Sequence, residues 1–546
     1  MASTINKFFK REVDLWSTST LLVALLIITP LAIVVLGLGH AGPKWTHISD
    51  TVLFTYIGNT VGLAAAVSAL ALLMAVPQAW LVSAFEFPGR RLFEWTLVLP
   101  LAVPTYVAAF AYYHFPEQAI PLLIQIRDTF GVATYAFAEK TIRYGLLSLF
   151  LAGVLFPYIY ISARASFSQQ RRAVIEAAQT LGRSPAATFF SVALPLARPA
   201  IVAGLSLVLM EVINDYGAVH LFGVPTLTEG IFRTWFGLGD RASAIRLAGI
   251  IMVALLAFLA LEHAHRGRAR FAEPSVSPAP LSRRKLSRGA AAAAIITCLI
   301  PLTIGLLFPL WRLITWSTMT WHKVFTPDFQ QHITHSVLLA LVTTLVLTAI
   351  AILFAYTERL HHSRFLNGLG RVATLGYAAP GAVVAIGVMV AFGASDSFFA
   401  SLSTKLGLPK FLISGSLLAI AFAYIVRFLA VPVQPLRAGM ARVCGSLDDA
   451  SRILGKSPGT TLRKINLPIL RGTIIAAAML VFVDILKELP LTIILRPANF
   501  ETLATTAFGL ATEGRIQESA VPSLIIVLTG GVGLIILNRF MRRNSP

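Results

Sequence analysis

Two short stretches of this 546-residue chain put carboxylates where carboxylates are costly. They are LMEVINDYGAVHLFG, with Glu211 and Asp215, and FVDILKELPLTIILRP, with Asp484, Lys487 and Glu488. Each pair of acids is four residues apart, so on a helix its members share a face. The stretches correspond: Asp484 and Glu488 follow Glu211 and Asp215 at one common offset, half the length of the chain. An ionised side chain in mid-bilayer costs about 2.5–3.5 kcal/mol on the insertion scale, so such residues face a bundle interior or an aqueous route. Four carboxylates around a pseudo-twofold pathway would attract hard cations. The competing reading is structural, with Lys487 neutralising Asp484 or Glu488 and the acids holding helices together. We expect Glu211, Asp215, Asp484, Lys487 and Glu488 at a translocation pathway or its gate. No metal ligand set is assigned.

Other stretches offer chemistry that their context withdraws. In ASRILGKSPGTT (450–461), Gly455-Lys456-Ser457 looks like the end of a phosphate-binding loop. Its leading position is Ala450 instead of glycine, and the residues before it read as helix, whereas that loop needs a preceding strand. His332 and His335 lie one turn apart without two further ligands nearby. His361-His362 sits in a short basic loop. The glycines of GLGRVATLGYAAPG follow no strand, and no Ser/His/Asp elbow is visible. Cys298 and Cys444 have neither disulfide nor zinc spacing. We expect no cofactor bound by this chain and no enzymatic activity of its own.

The elements that carry the acids must be membrane helices. The chain is 56% hydrophobic and 13% charged, with mean hydropathy +0.76, where globular proteins carry about 25% charge. Twelve apolar stretches are long enough to span: 19–38, 58–83, 93–114, 144–163, 200–222, 243–262, 290–311, 334–356, 372–394, 412–433, 472–495 and 521–538. The first exceeds the usual 7–15-residue core of a signal peptide, so it reads as an uncleaved helix. The net charge of +20 is not a nucleic-acid footprint. With both termini cytoplasmic, most Lys and Arg fall in cytoplasmic segments, the bias that orients membrane proteins.

The chain is also duplicated. EAAQTLGRSPAATFFSVALP starts at Glu176 and DASRILGKSPGTTLRKINLP at Asp449, again half a chain later. Pro104 in LPLAVPTYVAAF answers to Pro380 in GYAAPGAVVAIG. The reading is an all-α integral membrane protein of two parallel six-helix repeats, 1–263 and 290–546, joined by a Pro/Ser-rich basic linker at 264–289 that reads as flexible. Each repeated loop, 171–198 and 444–471, lies between the fourth and fifth helices and describes two short helices at an angle. Gly182 and Gly455 suit the left-handed C′ position. Ser184 and Ser457 cap the next helix, with Pro185 and Pro458 at its first position. Pro195 and Pro468 are expected to end that second helix. A helical knuckle therefore projects from each half, a surface suited to a twofold partner.

These loops resemble the EAA loop of ABC-importer permeases. Glu176, Ala177, Gly182, Val192, Leu194 and Pro195 fit its pattern. The second copy keeps Ala450, Gly455, Ile465, Leu467 and Pro468, but has Asp449 for the glutamate and Ser451 for the second alanine. The resemblance implies the type I ABC importer permease fold in a bacterial inner membrane. It implies coupling helices docked on two copies of a separate cytoplasmic ABC ATPase, which holds ATP and Mg. Glu176 and Asp449 would position the knuckles by capping or ion pairing. Residues 99–115, 211–240 and 487–514 are similar to ferric-iron ABC permeases, implying Fe³⁺ as substrate, delivered by a periplasmic ferric-iron-binding protein. Residues 223–242 and 492–520 are the expected docking segments. A related fused permease for thiamine or another small solute, and a proton-coupled secondary transporter using the four acids, stay open as alternatives. Membrane lipid is the remaining expected partner.

Overall fold

The computed structural model describes residues 2–169, 180, 182, 184–266, 283–361, 363–406 and 412–543. Helix dominates, because backbone polar groups inside hydrocarbon must be satisfied within the segment. Among the described residues, nine helices are long and apolar enough to cross a bilayer, eleven when each of two bent pairs counts as one span. The twelfth expected stretch lies in the Ala520–Arg543 helix.

Two expected spans are not straight rods. Stretch 93–114 folds as Arg90–Ala102 and Thr105–Gln118, meeting at 90°. Pro104 lies at the corner; it has no N–H to continue the first helix and it forces Val103 out of helical geometry. Pro380 does the same in the second half, between the turn Thr374–Tyr377 and the helix Gly381–Leu406. Stretch 412–433 falls in a second bent pair, Leu417–Phe428 and Ala430–Arg442, at 48°.

The duplication holds in three dimensions. Thr226 caps Leu227–Phe232 in the first half and Thr502 caps Leu503–Thr512 in the second. The backbone N–H of Leu227 donates to Thr60 Oγ1 at 2.9 Å, and that of Leu503 to Ser336 Oγ at 2.7 Å.

The first helix of each half packs on the other half. The Ala2–Leu36 helix lies against the Gly381–Leu406 helix, where Gly387 leaves room for the Pro30 carbonyl. Reciprocally, the turn Thr303–Leu307 packs on the Val132–Gln169 helix, where Gly305 faces the Gly153 carbonyl so closely that neither position admits a side chain. Thr20 Oγ1 donates to Thr357 Oγ1 at 2.8 Å, and Gln78 Nε2 to the Thr297 carbonyl at 2.9 Å, so polar contacts cross the junction in both directions.

The segment joining the halves is not wholly free. The Arg241–Arg266 helix runs into it from one side. At its far end, Arg284–Lys285 pairs in parallel with Phe85–Glu86, in the register Phe85 to Arg284 and Glu86 to Lys285. Leu286 N–H donates to the Glu86 carbonyl at 3.2 Å, so residues 284–286 lie along the backbone just beyond the second span.

Candidate functional site

All five residues expected at the pathway line one cavity between the two halves, with room for about 100 Å³. Glu211 and Asp215 come from the end of the Leu194–Asn214 helix, and Asp484, Lys487 and Glu488 from the end of Leu467–Leu486. The corners at Pro104 and Pro380 bring the starts of two further helices to the same place.

Within the cavity the acids divide into two kinds. Asp215 is buried, and its Oδ1 accepts from the N–H groups of Ala218 at 3.0 Å and Val219 at 3.1 Å. Glu488 repeats this: Oε1 accepts from Leu491 N–H at 3.0 Å, and Oε2 from Thr492 N–H at 3.1 Å and Thr492 Oγ1 at 2.9 Å. Each carboxylate caps the short helix after it, Gly217–Leu221 or Pro490–Leu495, meeting N–H groups that the first turn leaves unpaired. Their oxygens serve the fold first.

Glu211 and Asp484 are the other kind. Both are half-buried. Lys487 Nζ lies 2.9 Å from Asp484 Oδ1, the internal pairing that the sequence left open. Glu211 faces Tyr158, with Arg427, Lys487 and Asp484 within electrostatic reach.

No sequence pattern singles out Arg427, yet it belongs to the site. It is buried, and its Nη1 donates to the Ala379 carbonyl at 2.9 Å. That carbonyl is released from helical bonding because Pro380 follows it. The Gly381 N–H beyond the corner donates to Asn214 Oδ1 of the first half at 2.7 Å. At the repeat offset, Arg427 and Lys487 answer to Val154 and Asn214. Both cations of the cavity therefore belong to the second half, and their counterparts, which line the same cavity, are neutral.

Aromatic rings flank the cavity. Away from the knuckles, Tyr216 stacks on Phe232 with ring centroids 3.6 Å apart and lies 5.6 Å from Phe508. Phe232 and Phe508 occupy equivalent places after their capping threonines, so one tyrosine of the first half meets a repeat-related pair. Toward the knuckles, Leu101, Tyr158, Tyr377, Asp484 and Lys487 also line a second cavity of about 370 Å³, so these five side chains lie between the two spaces.

The knuckles have the expected local chemistry and one unexpected continuation. Gly182 and Gly455 have φ of 82° and 69°. Ser184 Oγ accepts from Ala187 N–H at 3.2 Å, and Ser457 Oγ from Thr460 N–H at 3.4 Å. Pro458 opens its helix, with its carbonyl accepting from Tyr356 Oη at 2.7 Å, and Pro185 opens the other. Neither Pro195 nor Pro468 ends the helix it follows. Wider π-type turns, Phe189–Ala193 and Leu462–Asn466, precede them, and a π turn relieves the clash that a proline ring makes in a regular helix. The second knuckle helix thus runs unbroken into the fifth membrane helix, as Pro458–Leu486.

Glu176 and Ala177 lie outside the described residues. In the second knuckle the acid with internal partners is Asp448: it receives Arg359 and, at 3.4 Å, Asn466 Nδ2. Arg359 also donates to the carbonyls of Met440 and Val443. Asp449 is exposed, as is Ala450, and Asp449 forms no ion pair among the described residues. Ser451, the departure from the expected second alanine, is buried and hydrogen-bonded to Thr461 Oγ1 at 2.7 Å. At the apex, Ile453 and Leu454 are 85% and 73% exposed. Elsewhere, His332 bonds Thr506 Oγ1 at 2.9 Å and His335 stacks on Phe500. Segments 223–242 and 492–520 contain short helices more than open loop.

A family model for the binding-protein-dependent transport system inner membrane component matches residues 58–261 and 348–546, one segment in each half. The chain is similar to the Fe(3+)-transport system permease protein FbpB 2 of Haemophilus influenzae, at 22% identity over 89% of each protein. It is similar to the sulfate transport system permease protein CysT of Salmonella typhimurium, at 26% identity over 44% of this chain and 87% of the relative. Among solved structures, one chain of a bacterial alginate ABC transporter, in complex with an alginate pentasaccharide-bound periplasmic protein, covers 47% of this chain and 94% of its own length at 16% identity and a TM-score of 0.40.

Proposed function

The chain belongs to the binding-protein-dependent transport system inner membrane components, and from that premise we propose that it is the permease of an ATP-driven ferric-iron importer. One copy supplies both halves of the pathway. Its knuckles face the cytoplasm and dock on two ATPase subunits, with Ile453 and Leu454 as the apolar contact of the second. A periplasmic ferric-iron-binding protein delivers cargo to the opposite end, at 223–242 and 492–520.

The observation that carries this reading is the convergence of repeat-related acids on one cavity between the halves. A rocking motion of the halves would open that cavity alternately past Tyr216 and past Tyr158 and Tyr377. Two observations favour iron over sulfate. The iron permease relative is matched across both halves, whereas the sulfate permease covers less than half of this chain. The acids lining the cavity, Glu211, Asp215, Asp484 and Glu488, also outnumber its cations, Arg427 and Lys487, and that excess of negative charge disfavours an anion.

The test is reconstitution with the partner ATPase and candidate binding proteins in proteoliposomes. Fe³⁺-loaded binding protein is expected to stimulate ATP hydrolysis and iron uptake together. Stimulation by sulfate-loaded protein alone would overturn the cargo assignment. Uptake driven by an ion gradient without ATPase would overturn the importer reading and favour a secondary transporter.

A further inference from the structure

Four cations at the knuckle end have no part in that function. Arg283, Arg284, Lys285 and Arg288 are all exposed, and none forms an ion pair among the described residues. Nearby acids are engaged elsewhere: Glu86 with Arg90 Nε at 3.1 Å, and Glu94 with Arg90 at 3.2 Å and Arg164 at 3.0 Å. The positive charge of this strip is left without a partner among the described residues.

The strip is held in place. Arg284 and Lys285 pair with Phe85 and Glu86, and Leu286 N–H donates to the Glu86 carbonyl at 3.2 Å. One span, Leu53–Ala84, stops immediately before the first strand, and another, Arg288–Val324, starts at the last cation. Ser83 Oγ lies 3.4 Å from Ser168 Oγ, so the strip is level with the end of the span that leads to the first knuckle. Two apolar spans end there, and a spanning helix passes from hydrocarbon to headgroups at its ends. Beside it Leu92 is 54% exposed, on the short helix Arg90–Thr96.

We propose that Arg283, Arg284, Lys285 and Arg288 form a binding strip for the headgroups of anionic phospholipids in the knuckle-side leaflet. Fixed cations at headgroup depth attract anionic lipid, an attraction that accumulates with each Lys or Arg. A lipid is favoured over a soluble phosphate because the four cations are all exposed and lie beside exposed apolar surface at Leu92. The assignment depends on membrane placement and not on the cargo, so it stands or falls apart from the iron reading.

The test reconstitutes the full chain in nanodiscs of phosphatidylcholine with a minority of phosphatidylglycerol and counts co-retained lipid by native mass spectrometry. The chain is expected to retain phosphatidylglycerol preferentially. R283Q/R284Q/K285Q/R288Q should lower that preference roughly tenfold, whereas R283K/R284K/R288K should keep it, since headgroup attraction needs charge and not a guanidinium. Equal retention by the Gln variant and the unaltered chain overturns the proposal. So does saturable binding of inorganic phosphate to the detergent-solubilised chain that the four Gln substitutions abolish, which would make this a phosphate site. Should the fourfold variant not fold, K285Q and R288Q are measured singly, and no reduction in either is equally fatal.

Discussion

Asp215 and Glu488 occupy equivalent positions in the two halves, and each carboxylate caps the helix that begins just after it. This relationship separates two roles that a sequence of buried acids leaves merged. Acids that hold helix starts should matter to folding; acids whose oxygens face the cavity should matter to passage.

D215A and E488A are therefore expected to destabilise the protein. Each loses two backbone bonds to a charged acceptor, and such bonds contribute about 1.5–3 kcal/mol apiece. Thermal unfolding of the detergent-solubilised chain should show a clear drop in midpoint for both, and none for E211Q. An unchanged midpoint in D215A would mean that capping is incidental.

Glu211 and Asp484 are the pair to neutralise for transport. E211Q/D484N should leave assembly with the ATPase intact and reduce uptake roughly tenfold, equivalent to about 1.4 kcal/mol in the barrier. The double variant frees Lys487 from Asp484, so adding K487Q should recover part of the loss if the stray cation is the obstacle. Full uptake in E211Q/D484N would assign both acids to packing.

At the second knuckle Asp448 should outweigh Asp449. D448A strands Arg359, whose remaining partners are carbonyls, and should weaken the coupling of ATP hydrolysis to uptake; D449A should do much less. I453S/L454S should lower affinity for the ATPase, measured by co-purification, without lowering thermal stability, because both side chains are exposed. The reverse order, with Asp449 dominant, would mean that direct contact with the partner matters more than the internal brace.

Y216A should open the end of the cavity remote from the knuckles. The expected signature is ATP hydrolysis less dependent on the loaded binding protein, together with leak of small ions through reconstituted vesicles. Y216F should behave normally, since stacking on Phe232 does not use the hydroxyl. A tight, fully coupled Y216A would place the closure elsewhere.

Much of this arrangement is legible in the sequence itself. The common offset of the two halves, the positive-φ glycines 182 and 455, the caps Ser184 and Ser457, and the gathering of five charged residues follow from patterns in which local chemistry decides geometry. The illegible features depend on what lies across the fold. Arg427 gives no repeat signal, because its counterpart is Val154; its place makes sense only beside the Ala379 carbonyl that Pro380 frees. Pro468 looks like a stop because a regular helix rejects it, and the π turn that admits it has no sequence mark. The choice of Asp448 over its neighbour is set by which side chain of a surface helix turns toward Arg359.

The exchange of opening helices has a consequence for how such a protein is built. With Pro30 seated against Gly387, and Gly305 against Gly153, neither half carries a complete wall of its own. A chain cut within 267–282 should yield fragments that become stable only when made together, each lending the other its leading segment. Fusion here gives the molecule more than equal copy number: it places the donor of every exchanged segment beside its acceptor as the chain is synthesised.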